Sequence, residues 1–180
     1  MIESKTNPAH ILRTLYFTRS AVQLSWAAAL FTLAEHPSST AVLLVLYPLW
    51  DVACTIYDLS TSQADAKAIA SQRVNAALGV ITAIAIALTA WQTPAYAVVA
   101  FGAWALIAGI LQLVAGVQRR KALGGQWAMI LSGAQSTLAG GAFIAGGLSG
   151  KMHARDLGGY AIFGAVYFLI AGLLLLRRKA

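Results

Sequence analysis

The sequence predicts an all-α polytopic membrane protein, with six transmembrane helices forming three same-orientation helical hairpins in a single membrane domain over 1–180. Three observations carry that expectation. Charged residues are 11% of the chain and hydrophobic ones 59%, whereas soluble domains carry about 25% charge. So little charge cannot coat a water-exposed globule. Long apolar stretches recur six times, separated by short polar pieces. The basic residues gather in alternate pieces, as orientation signals of short loops do.

Crossing a bilayer takes about 20 apolar residues in a helix that satisfies its own backbone hydrogen bonds. The first such stretch covers 13–34. Arg13 and Arg19 before the apolar run 21–34 resemble a signal peptide, but Thr32-Leu33-Ala34 is a poor cleavage site, so the helix is expected to be retained. The second span covers 40–57, after a loop at 35–39, and the third covers 74–91. Between them the polar piece 60–72 has Asp65, Lys67 and an alanine spacing that suit a short interfacial helix. Gln92-Thr93-Pro94 leads into the fourth span, 95–117. Residues 118–125 read as a basic turn ending in Gly124-Gly125. The fifth and sixth spans cover 126–146 and 159–176, so the hairpins fall at about 13–57, 74–117 and 126–176. No stretch alternates as a barrel strand would.

Charge sets the orientation. With the N-terminus inside, the inner face holds Lys5, Arg13, Arg19, Lys67, Arg73, Arg119, Arg120, Lys121, Arg177, Arg178 and Lys179, eleven of the 13 Lys and Arg. Only Lys151 and Arg155 remain outside. Both termini are therefore expected on the cytoplasmic side of the membrane. Tyr16, Tyr57 and Trp127 fall at the inner boundary, and Trp91, Tyr96 and Tyr160 at the outer one. A net charge of +7 split among short loops, with no aromatic-basic platform, excludes nucleic acid as a partner; membrane lipids are the expected surroundings.

The fourth and sixth spans resemble each other. Phe101-Gly102-Ala103 and Leu106-Ile107-Ala108-Gly109 precede Arg119-Arg120-Lys121, while Phe163-Gly164-Ala165 and Leu169-Ile170-Ala171-Gly172 precede Arg177-Arg178-Lys179. A slip of one residue separates the two motifs. Equal hairpin orientation makes these parallel repeats about an axis along the membrane normal, a bundle of pseudo-threefold character. Small residues let helices approach closely in lipid. Candidates are Gly79, Ala83 and Ala87 in the third span and Gly102, Ala105 and Gly109 in the fourth. The fifth offers Gly133, Thr137, Gly141 and Ala145, with Ser132, Ser136 and Gly140 beside them. Packing within the chain is expected, and a homo-oligomer seam is the alternative use.

An ionisable group in the membrane costs roughly 2.5–3.5 kcal/mol on insertion scales, so each needs a reason. Asp51 lies about 10 Å deep at 1.5 Å per residue. Arg19 enters a comparable distance along the antiparallel first span. Asp51, Thr55 and Asp58 share a helical face, as do Arg19, Gln23 and Trp26. Pro48 removes the backbone donor for the Leu44 carbonyl and kinks the second span. One reading makes Arg19, Gln23, Asp51, Thr55, Asp58, Asn75 and Gln112 an intramembrane polar site that binds a proton, a cation or another small solute. The other is a structural ion pair, with Arg19 reaching toward the headgroups. Trp26, Trp50 and Trp104 suit packing wedges better than a ligand box, provided each indole finds a partner.

Cys54, the only cysteine, excludes an internal disulfide. No nucleophile with a base, HExxH, phosphate loop or GxGxxG appears, so the chain is expected to be no enzyme and to carry no cofactor and no metal. His36, Glu35, His153 and Asp156 could meet on the outer surface, although their spacing matches no zinc site.

Arg19-Ser20 opening an apolar helix, the following Gly-rich hairpin and the run from Phe101 to Leu113 resemble the HdeD-like family of short-repeat membrane proteins. The stretch from Arg119 to Trp127, followed by Leu131-Ser132-Gly133, carries the resemblance furthest. It covers about 13–178 and is specific mainly over 100–147. Membership would imply six helices in the bacterial inner membrane and a link to acid resistance, without a catalytic or transport residue to carry over. Asp51 and Pro48 depart from the pattern. The expected role is a non-enzymatic one in stress tolerance or membrane organisation. The alternatives are a small channel or transporter using Asp51 and Arg19, and a lipid-active enzyme.

Overall fold

The computed structural model describes residues 8–61, 66–123 and 126–176, all within helices or their connections. Six helices follow in order: α1 (Pro8–Leu33), α2 (Pro37–Thr61), α3 (Ala66–Thr89), α4 (Pro94–Leu123), α5 (Trp127–Leu148) and α6 (Asp156–Leu176). Pro37 and Pro94 each open a helix, where a missing N–H costs nothing and φ is already set. Between α1 and α2 the chain turns tightly. The Leu33 carbonyl accepts from the His36 amide at 2.9 Å and from the Thr40 hydroxyl at 3.1 Å. At the end of α5, Gly150 has φ +69°, and the Lys151 and Gly150 amides reach back to the carbonyls of Gly146 and Gly147. That crossed pair of bonds needs a left-handed residue, which glycine supplies.

Two expected connections are helical. Residues 66–72 continue into α3, so there is no separate interfacial helix, and α4 runs through the basic segment to Leu123. Good helix formers (Ala, Gln, Arg, Lys, Leu) populate both stretches, and backbone propensity carries the helices past the apolar spans. At 30 residues α4 is about 45 Å long. Asp65, Gly124-Gly125, Lys5 and the run from Arg177 to Lys179 lie outside the described residues.

Each helix packs on its chain neighbours and α6 closes onto α1, making a ring. The most extensive contacts fall between the hairpins: α4 with α5, α6 with α1, α2 with α3. Even-numbered helices thus each seat the next odd-numbered one, as three parallel repeats about one axis would. The repeat's register follows Leu106–Gly109 against Leu169–Gly172, which puts Gly109 opposite Gly172 and Ala105 opposite Phe168, all buried. The Phe-Gly-Ala match does not share an environment: Phe101 is fully buried and Phe163 is exposed.

Glycines set the tightest seam. A Cβ on Gly102 would lie 2.9 Å from the Gly140 carbonyl, one on Gly109 2.8 Å from the Gly133 carbonyl, and one on Gly79 2.5 Å from Val52. Gly141, expected in this seam, has nothing within 4 Å, and Gly140 takes its place.

The outside of the ring is apolar. Leu24, Leu46, Ile56, Ile81, Ile84, Leu88, Leu138 and Phe163 are all exposed, while Ser20, Gln23, Thr55, Ser132 and Ser136 are buried. A water-soluble fold places these the other way round. Five helices, α2 to α6, are long and apolar enough to cross a membrane. Arg19, Ser20 and Gln23 lower the hydropathy of the 26-residue α1; Ser20 is buried against α6, donating to the Ala165 carbonyl at 2.9 Å, and Gln23 is buried in the ring's interior. Tyr57, Trp91, Tyr96 and Trp127 are exposed at the helix ends as a belt requires. Tyr16 and Tyr160 are inside the bundle instead.

Candidate functional site: a polar cavity inside the ring

All six helices line a central cavity of about 140 Å³, and each of the seven polar residues singled out in the sequence is in its wall. Toward the end of the ring that bears Arg119, Asp58 of α2 is the anchor. Its Oδ2 accepts from Arg119 of α4 at 2.9 Å and from Gln72 of α3 at 2.6 Å.

Two helical turns deeper, Asp51 repeats the arrangement with different partners. Arg19 of α1 donates to Oδ1 at 2.7 Å, and Asn75 of α3 donates to Oδ2 at 2.8 Å. The Asn75 amide also lies 3.3 Å from the Thr55 hydroxyl. The Arg19 guanidinium rests 5.0 Å from the centroid of the Phe168 ring, so α6 supports it as well. Arg19 and Asp51 side chains are 14% and 21% exposed, out of bulk water but open to the cavity. Gln112 makes a longer contact, 3.4 Å to the Met129 carbonyl.

Deeper still stand Gln23, Trp104 and Tyr160, with the Tyr160 hydroxyl 3.1 Å from that of Ser136. Beyond them the ring is filled. Trp26, Tyr47, Phe101, Trp104, Phe143 and Tyr160 form a continuous aromatic cluster, with Phe101 5.3 Å from Trp104 and 5.8 Å from Tyr160, edge to face. Such pairs each contribute roughly 0.5–1.5 kcal/mol beyond burial. The Trp26 indole is satisfied by the Leu43 carbonyl at 2.7 Å, in the turn before Pro48. The cavity is therefore plugged at one end and lined by polar and apolar side chains together.

The sequence missed Arg119 and Gln72, which it placed in loops. A signal existed: Arg119 stands seven residues after Gln112, and Gln72 three before Asn75, spacings that keep one helical face. The indoles of Trp50 and Trp104, expected to find partners, have none among the described residues. On the opposite surface, the Asp156 carboxylate accepts from the His153 amide at 2.8 Å at the start of α6, and among the described residues no group of three His, Cys, Asp or Glu could hold a metal.

Fold and cavity together define a multi-pass integral membrane protein with a polar interior. Residues 74–145, from α3 into α5, match the family described as a short repeat of unknown function (DUF308), the repeat to which HdeD-like proteins belong. The match includes Asn75, Gln112 and Arg119 and leaves out Arg19, Gln23, Asp51, Thr55 and Asp58. No curated protein matches the chain, and no solved structure does.

Proposed function

We propose that this is a non-enzymatic membrane protein that admits a small polar solute to its central cavity, the channel-or-transporter role. One observation carries the reading. Of the buried side-chain atoms without a partner among the described residues, Arg19 Nε, Gln23 Oε1, Trp50 Nε1, Gln72 Oε1 and Trp104 Nε1 belong to residues of this one cavity wall. Buried polar groups are nearly always bonded, so a cluster of open ones in a lined space suits a guest. The cavity would open to the cytoplasm of a bacterial cell through the Arg119 end, following the charge asymmetry of the loops, with α1 as the sixth span. The short-repeat match supports the HdeD-like resemblance, and its description assigns no activity; an acid-stress role would be the physiological setting of such a solute pathway.

The test is flux in proteoliposomes for small solutes, sodium and protons, with Asp51→Asn as control. Asp51→Asn weakens the ion pair that shapes the cavity and is expected to cut flux at least fivefold. Wild-type flux no faster than that of empty vesicles for every solute would sink the reading.

A further inference from the structure

Resting on that reading, we infer that the cavity recognises a small uncharged solute carrying a hydrogen-bond acceptor and a donor within a few atoms, as an amide does, and not a cation or an anion. Charge is the first argument. Each carboxylate in the wall already has its own arginine: Asp51 has Arg19 at 2.7 Å and Asp58 has Arg119 at 2.9 Å. These four side chains sum to zero. An entering ion would have to lose its hydration in a site that offers no net opposite charge, which is costly at low dielectric. A neutral solute avoids that cost.

The inventory of open groups is the second argument. Gln23 is 9% exposed, and its Oε1 has no partner, nor has Gln72 Oε1. Arg19 Nε, Trp50 Nε1 and Trp104 Nε1 are open donors. Donors and acceptors thus stand in one wall, and a guest must answer both kinds. Among these open groups a cation would meet only the two amide oxygens and leave three donors unanswered. An anion would leave the oxygens unanswered.

Gly164 fits the same assignment. A Cβ there would lie 2.9 Å from Gln23 Oε1, so the absence of a side chain keeps that oxygen free to face the cavity. Trp26, whose indole is already bonded to Leu43, serves as an internal reference.

The test is a titration of purified full-length protein, labelled with ¹⁵N-tryptophan, with acetamide, sodium acetate and sodium chloride in turn. The indole signals are assigned with single Trp→Phe variants. Acetamide should shift the Trp50 and Trp104 indole signals saturably, leave Trp26 in place, and bind at least fivefold more weakly to Gln23→Leu. Gly164→Ala, which keeps every polar group, should weaken binding in the same direction and guards against misfolding of the first variant. Saturable shifts with acetate or sodium and none with acetamide would overturn the assignment. No response to acetamide combined with measurable ion flux in proteoliposomes would also overturn it and leave the channel reading standing. Absence of both binding and flux would remove the two together.

Discussion

Asp51 and Asp58 lie seven residues apart on α2, and each is met by an arginine from a different helix and an amide side chain from α3. Removing one member of a buried pair strands the other, a loss of about 3 kcal/mol at the lower end of what such breaks cost. Arg19→Met should destabilise by about that amount, because Asp51 would keep only Asn75. The double variant Arg19→Met, Asp51→Leu should recover most of the loss, since neither charge then needs an answer. Unfolding in detergent with increasing SDS reads both. A double variant no more stable than the single one would mean that the pair contributes little beyond its separate residues. The Arg19–Asp51 pair was legible in the sequence, because two ionisable residues at matched depths on antiparallel helices have few other partners. Arg119–Asp58 was not. Arg119 was fully accounted for as an orientation signal among neighbouring basic residues, so its seven-residue spacing from Gln112 was not read as one helical face.

At the scale of elements, the α4–α5 seam shows how a small-residue pattern is misread by one position. Steps of four residues advance about 40° around a helix, so Gly133, Thr137, Gly141 and Ala145 spiral off the contact face. Steps of seven drift only about 20°. Gly102, Gly109 and Gly116 on α4 follow that period, as do Gly133, Gly140 and Gly147 on α5, and all six face close neighbours. The contrast between two adjacent residues is the prediction. Gly140→Leu must push α4 and α5 apart, costing about 3 kcal/mol or more as overpacking of a tight contact. Gly141→Leu meets open space and should leave stability unchanged within about 0.5 kcal/mol, as substitutions away from packed features do. Thermal unfolding of the two variants in the same detergent measures this, and equal losses would mean that the seam is set otherwise. The existence of six helices was legible from apolar length. The start of α3 and the end of α4 were not, because helix propensity outlasts hydropathy in Ala- and Arg-rich segments.

For the whole molecule, the distribution of polarity and the distribution of charge are independent of each other and bear on different questions. Apolar residues cover the outside of the ring and the buried polar side chains lie within it, which argues for lipid surroundings but is indifferent to which end faces inward. Orientation rests on the loops. With an even number of crossings, both termini, the α2–α3 connection and the α4–α5 connection share one side, and the α1–α2, α3–α4 and α5–α6 turns share the other. In a Cys54→Ala background, Ser38→Cys in the first turn of α2 should react with a membrane-impermeant maleimide added to intact cells. Gln118→Cys at the far end of α4 should react only after lysis. Both positions are exposed, so access to the side chain is not the limiting step. Labelling of Gln118→Cys in intact cells would invert the protein. Labelling of both would mean that one of α2, α3 and α4 does not cross, since three crossings put the two positions on opposite sides. The cavity's end at Arg119 and Asp58 goes with the answer: it faces whichever compartment reaches Gln118.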